Sequence, residues 1–230
     1  MRAEANQTMS FRGTTLSVAC LGLAILLFAL PCLSGDLVVG NFGAGDLSGW
    51  TPKVFKGETS YSFVKEDGRT VLKAHSRAAA SGLFKKMELN PRAYPVLRWS
   101  WKIEHTIGKG NERTRAGDDY AARVYVVFPR TLFWKTRAIN YIWANTLARG
   151  AYVPSAYTSN SIMVAVESGN GEAGKWVDEE RNIHEDYRKF FGEEPPLLGA
   201  VALMTDTDNT GEEAVAWYGD ITLESREATR

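Results

Sequence analysis

The 230-residue chain has only two cysteines, Cys20 and Cys32, and both fall within the first 34 residues. If those residues are removed, no thiol remains, so the rest of the chain can form no disulfide and no cysteine nucleophile or thiolate metal site. Histidine is almost as scarce. His75, His105 and His184 lie in unrelated segments, and the chain contains neither a His-Glu-x-x-His run nor a Gly-x-Ser-x-Gly elbow, which leaves the common metalloprotease and hydrolase signatures unmatched. No excess of either charge is present: 27 basic residues face 27 acidic ones. Such a balance gives nucleic acid no electrostatic footprint to bind. No linker, low-complexity tract or internal repeat interrupts the chain, and no apolar run reaches the roughly 18 to 20 residues that span a bilayer.

The longest apolar run, Leu16 to Leu30, follows Arg2 and Arg12 and ends at Pro31-Cys32-Leu33-Ser34. A basic start, a short apolar core and small residues beyond it form the pattern of a secretory signal peptide. Residues 1–34 are therefore expected to be cleaved, giving a periplasmic or secreted product with no stable membrane insertion. Cleavage removes Arg2, Arg12 and Glu4 and leaves 25 basic and 26 acidic residues. Residues 35–230 are expected to form one domain, because sandwiches and barrels of this length fold as single units.

Ten strands follow from the apolar patterning, over residues 36–42, 61–65, 70–76, 82–89, 96–103, 120–128, 139–143, 161–167, 198–205 and 214–223. Turn signals such as Asp67-Gly68, Asn90-Pro91 and Asn209-Thr210-Gly211 separate most of them. Alternation is sharpest over 96–103, where Trp99, Trp101 and Ile103 share one face while Arg98, Ser100 and Lys102 share the other. On 120–128, Arg123 and Tyr125 likewise oppose Val124, Val126 and Phe128. One helix is expected over 177–191, its first turn loaded with Asp178, Glu179 and Glu180 and its end marked by Gly192 and Pro195. Each strand has one apolar face that needs cover, so the expected fold is all-β, a two-sheet antiparallel jelly-roll-like β-sandwich with one short helix.

Five segments bear on family membership. They are Trp99-Ser-Trp101, Gly117-Asp118-Asp119-Tyr120-Ala-Ala-Arg123-Val-Tyr125, Asn140-Tyr141-Ile-Trp143, Asp186-Tyr187-Arg188-Lys-Phe190-Phe-Gly192 and Met204-Thr-Asp206-Thr-Asp208-Asn209-Thr-Gly211. In this order they resemble the bacterial DUF3047 family of unknown function, over about Gly40 to Leu223. The resemblance implies no activity. A looser one joins Asn41-Phe42 with Gly45-Asp46-Leu47-Ser48-Gly49-Trp50, and Trp217 to Leu223, to the first and last strands of jelly-roll carbohydrate-binding modules. That similarity implies that the two strands are neighbours and that a structural calcium can sit between them.

Three constellations are candidate sites. Asp206, Asp208 and Asn209 supply alternating and adjacent oxygen ligands of the kind calcium takes, and a place beside Asp220 is the other location for such an ion. The alternative is a hairpin turn in which Asp and Asn bond their own backbone and Gly211 takes positive φ. Asp118 and Asp119 precede a strand bearing Arg123 and Tyr125. Either one carboxylate pairs with Arg123 or Arg98 inside the sandwich, or the group forms a polar site in which Arg donates and Asp accepts from sugar hydroxyls. Trp134, Tyr141, Trp143, Tyr152 and Tyr157 lie in a long irregular stretch and form the expected ligand wall, by stacking on sugar faces. Catalytic carboxylates would have to stand about 5 to 10 Å apart in space, and Glu167, Asp118 and Glu104 are the candidates. The leading expectation is a non-catalytic envelope protein that binds a carbohydrate or similar polar ligand through Asp118, Asp119, Arg123, Tyr125, Tyr141 and Trp143. The rivals are a glycan-active hydrolase or lyase and a structural envelope protein.

Overall fold

The alternating segments do form strands. A computed structural model describes residues 35–226, so the expected leader over 1–34 lies outside the described residues. The strands are β1 (Leu37–Gly40), β2 (Trp50–Lys56), β3 (Ser60–Glu66), β4 (Arg69–Arg77), β5 (Ala80–Leu89), β6 (Val96–Ile103), β7 (Tyr120–Phe128), β8 (Arg137–Ala144), β9 (Tyr152–Pro154), β10 (Ser161–Ser168), β11 (Val177–Asn182), β12 (Leu198–Asp206) and β13 (Glu213–Glu224). Among the described residues one α-helix, α1 (Ile183–Phe191), lies between β11 and β12.

Two sheets form a jelly-roll-like β-sandwich. The smaller runs β11-β6-β13-β4-β3, with β1 also on β13, and the larger runs β2-β5-β12-β7-β8-β10-β9. Successive strands β4 and β5, β6 and β7, and β12 and β13 pass from one sheet to the other. The first and last strands are neighbours, as Leu37 opposite Leu223 shows. All pairings are antiparallel except β8 with β10, which run parallel, so the larger sheet is mixed. A parallel pair needs a crossover rather than a tight turn. Residues 145–160 provide it, and β9 within them pairs antiparallel with β10.

The inward faces match the alternation. Trp99 is 3% exposed, while Trp101, Val124, Val126 and Phe128 are all at 0%. Trp99 meets Trp101 edge-on at 5.4 Å between ring centroids and stacks on Tyr141 at 5.4 Å, and Trp101 meets Trp143 at 5.9 Å. Aromatic pairs of this geometry add to the burial of their area.

The helix begins six residues later than expected. Val177–Asn182 is the edge strand β11, in register with β6 from Val177 opposite Trp101 to Asn182 opposite Val96. The acidic residues 178–180 therefore belong to a ladder rather than to a first helical turn, because pairing satisfies backbone groups that β6 would otherwise leave open. Asn182 is the true cap, its side chain accepting from the Glu185 N–H at 2.9 Å. Gly192 ends the helix in the left-handed region at φ 69°. Besides β11, two further strands escape the sequence pattern. β2 contains Pro52 and is mostly exposed at the sheet edge, and β9 has only three residues.

Candidate functional site

Because Val124, Val126 and Phe128 point between the sheets, Arg123 and Tyr125 must point to the outer face of the larger sheet. Register then sets their neighbours: Met204 stands opposite Arg123, Ala202 and Asn140 opposite Tyr125. Arg123, Tyr125 and Met204 floor a cleft of about 560 Å³. Asn140 and Ser161 line one side, joined by an Asn140 Nδ2 to Ser161 Oγ hydrogen bond of 2.7 Å. Asp118, Asp206, Asp208 and Asn209 line another, and Phe55, Lys56 and Tyr157 form the rim. Tyr157 is 51% exposed and Phe55 55%.

The polar wall is a network. Arg123 pairs with Asp206, which is 1% exposed. The Tyr120 hydroxyl donates to Asp118 Oδ1 at 2.9 Å. Asp119, fully buried, accepts from the Asn209 N–H at 3.2 Å, from Asn209 Nδ2 at 3.1 Å and from the Thr210 N–H at 2.6 Å, and so holds the β12–β13 turn. Gly211 closes that turn at φ 72°. The Tyr157 hydroxyl donates to Asn209 Oδ1 at 2.9 Å.

Four carboxylates crowd against one buried guanidinium, and the titration of the cluster reflects it. Burial raises the Asp206 pKa well above the usual carboxylate range; Arg123 opposes the rise, and Asp119, Asp118 and Asp208 add to it. Asp118 is raised by burial against the pull of Arg123. Asp208 is raised by burial and then by the charge of Asp119, with Lys56 opposing. Burial alone would lower the Arg123 pKa, but Asp206 and Asp118 outweigh it and keep the guanidinium charged.

Several expectations are corrected by this geometry. Tyr141 and Trp143 are both at 0% exposure, on the inward face of β8, and cannot wall a cleft on the outer face. The Tyr141 hydroxyl instead donates to Asp186 Oδ2 on α1 at 2.9 Å, and Trp143 Nε1 donates to the Gly169 carbonyl at 2.9 Å. Their neighbour Asn140, with Ala138, is what β8 brings to the cleft, as strict alternation along the strand indicates. Arg123 pairs with neither Asp118 nor Asp119, and Arg98 bonds Glu180 and Glu224 on the other sheet. Asp220, the other calcium candidate, lies on that sheet too, where it accepts from the Gly43 N–H at 2.7 Å.

As a calcium cage the residues fit poorly. Carboxylate oxygens of Asp119, Asp206 and Asp208 lie within 4.8 Å of one another, but calcium takes six to eight oxygens. The oxygens present are already engaged: Asp119 by the turn, Asp206 by Arg123 and Asp208 by Lys56 at 3.8 Å.

Residues 48–222 match the family described as Protein of unknown function (DUF3047). The chain belongs to that family. Of the five segments that carry the DUF3047 resemblance, three meet at the cleft through Asp118 and Arg123, through Asn140, and through Met204 to Asn209. No curated protein matches this DUF3047 chain. Among solved structures it is similar to the family 11 carbohydrate-binding module of a cellulosomal cellulase from Clostridium thermocellum, at 9% identity and TM-score 0.47 over 83% of this chain and 95% of that one. The family 30 module of another cellulosomal cellulase of that organism gives 9% identity and TM-score 0.45 over 78% and 92%. A cleaved adhesin domain of Lys-gingipain from Porphyromonas gingivalis gives 10% and 0.42 over 83% and 98%.

Proposed function

We propose that the protein is exported and binds a carbohydrate or similar polyhydroxylated ligand in this cleft, at the cell envelope, without turning it over. The observation that carries the reading is the cleft's composition: exposed aromatic rims at Phe55 and Tyr157 stand over donors and acceptors converging from β7, β8, β10 and β12. An apolar ring face paired with a few fixed polar groups suits a sugar, whose own faces are divided in the same way. The apolar run at 16–30 supports export.

A glycan array followed by product analysis of every hit tests the proposal. Phe55→Ala and Tyr157→Ala, both at exposed positions, are expected to weaken retention by roughly tenfold each, about one lost aromatic platform, while leaving the melting temperature unchanged. A wild-type protein that ignores every glycan while the variants stay folded would remove the reading in favour of a structural role. One observation supports the glycan-active rival: Asp118, its pKa raised by burial, lines the cleft together with Asp208, and glycoside hydrolysis uses two carboxyl groups facing one cleft, one of them with a raised pKa. Shortened products that disappear in Asp118→Asn would establish it.

A further inference from the structure

A second depression of about 450 Å³ lies on the same outer face, lined by Thr51, Lys53, Phe84, Lys86, Val127 and Ala200, among others. Two contacts join it to the first. Phe84 meets Tyr125 edge-on at 5.4 Å, and the Lys53 ammonium lies 4.9 Å from the Phe55 ring centroid and 5.4 Å from that of Phe84. Along β12 the run from Ala200 to Asp206 covers six residue steps, or roughly 20 Å at strand rise. Between the ends lie the Phe84 and Tyr125 rings, packed together with the buried Ala80 and Ala202.

The two ends have opposite character. The Asp118 end carries three carboxylates against Arg123 and Lys56. The other end carries Lys53 and Lys86, both exposed, and no carboxylate among its lining residues. Neither lysine has an ion-pair partner among the described residues, and Lys53 is held over two rings.

We infer that the two depressions form one groove for an acidic polysaccharide, whose carboxylate-bearing residue sits between Lys53 and Lys86 while uncharged hydroxyl-bearing residues reach the Asp118 end. This rests on the carbohydrate reading above and adds the ligand's charge and direction. The like charges at the acidic end make the reverse orientation unfavourable, so the groove selects polarity as well as charge.

The test uses the full chain and a panel of neutral polysaccharides that carry sparse single uronate residues, such as glucuronoxylan, each beside its carboxyl-reduced form. At low salt the acidic form is expected to bind about three- to thirty-fold tighter than the reduced form, the product of two exposed charge pairs. High salt erodes that preference, because exposed charges are screened. The double variant Lys53→Ala, Lys86→Ala is expected to abolish the preference, so that the acidic and reduced forms bind it alike. Equal affinity for the acidic and reduced forms, or a preference that survives in the double variant, overturns this inference alone. Failure to bind either form of any polysaccharide overturns it together with the carbohydrate reading.

Discussion

Replacing Glu179 by Gln is expected to stabilise the protein at alkaline pH and to have little effect at acid pH. Glu179 sits on β11 facing the sandwich interior, 8% exposed, and accepts from Trp101 Nε1 at 3.3 Å. Glu167 on β10, 4% exposed, is the nearest opposing carboxylate in electrostatic terms. Arg149 pairs with Glu167 at 3.1 Å from an exposed loop, and Arg181 lies two residues along β11. Burial first, and the charge of Glu167 second, push the Glu179 carboxyl up to about 7 from 4.5, with Arg149, Trp101 and Arg181 opposing. The sign follows. Below about pH 4.5 both folded and unfolded chains hold the proton. Between about 4.5 and 7 the unfolded chain releases it first, so folding stability falls as pH rises, and above about 7 the full penalty persists. The rise corresponds to about 3 kcal/mol at ~1.36 kcal/mol per pH unit. Gln keeps an oxygen for Trp101 but forfeits the attraction of Arg149 and Arg181, so a gain of about 1 to 3 kcal/mol is expected at about pH 8.5, shrinking to a few tenths near pH 5. Urea melts of wild type and Glu179→Gln at the two pH values measure the difference, and other titrating groups cancel in it. A difference that does not change with pH would refute the reasoning, whatever its size.

Arg123→Ala leaves the carboxyl of Asp206 buried among Asp118, Asp119 and Asp208 without its counter-ion, and is expected to cost about 3 to 5 kcal/mol. Adding Asp206→Asn should recover part of the loss, and a cost below about 1 kcal/mol would show that the pair does not hold the fold. Trp143→Ala is expected to cost about 3 to 5 kcal/mol as a core truncation, and a variant of wild-type stability that lost only ligand retention would place the indole in a binding site after all. Since Arg123 supplies the positive charge at Asp206, EDTA should leave the melting temperature unchanged. A rise on adding calcium, growing as RT ln(1 + [L]/Kd), would establish a metal site there. Intact mass of protein from the envelope fraction is expected to show cleavage between Leu33 and Asp36, and recovery of the full-length chain in the cytosol would refute export.

Local chemistry was enough for the strands with the strongest alternation. Val96–Ile103 and Tyr120–Phe128 have the bounds that their patterns gave, and their apolar faces are buried as the period of two requires. The end of α1 at Gly192 was equally legible, because a residue free to take positive φ is a local property. Three decisions belonged to the tertiary structure. Residues 177–182 have the acidic start of a helix, yet they form a strand because β6 offered an open edge, and a neighbour's hydrogen bonds outweigh a weak helical preference. Tyr141 and Trp143 looked like a ligand wall because aromatic content does not say which face of a sheet the core will cover. The cleft itself was read in separate pieces, Arg123 in one motif and Asp206 in another. They became a pair only when antiparallel register set β12 beside β7, since residues more than eighty positions apart meet through strand pairing, which no local pattern of either segment encodes.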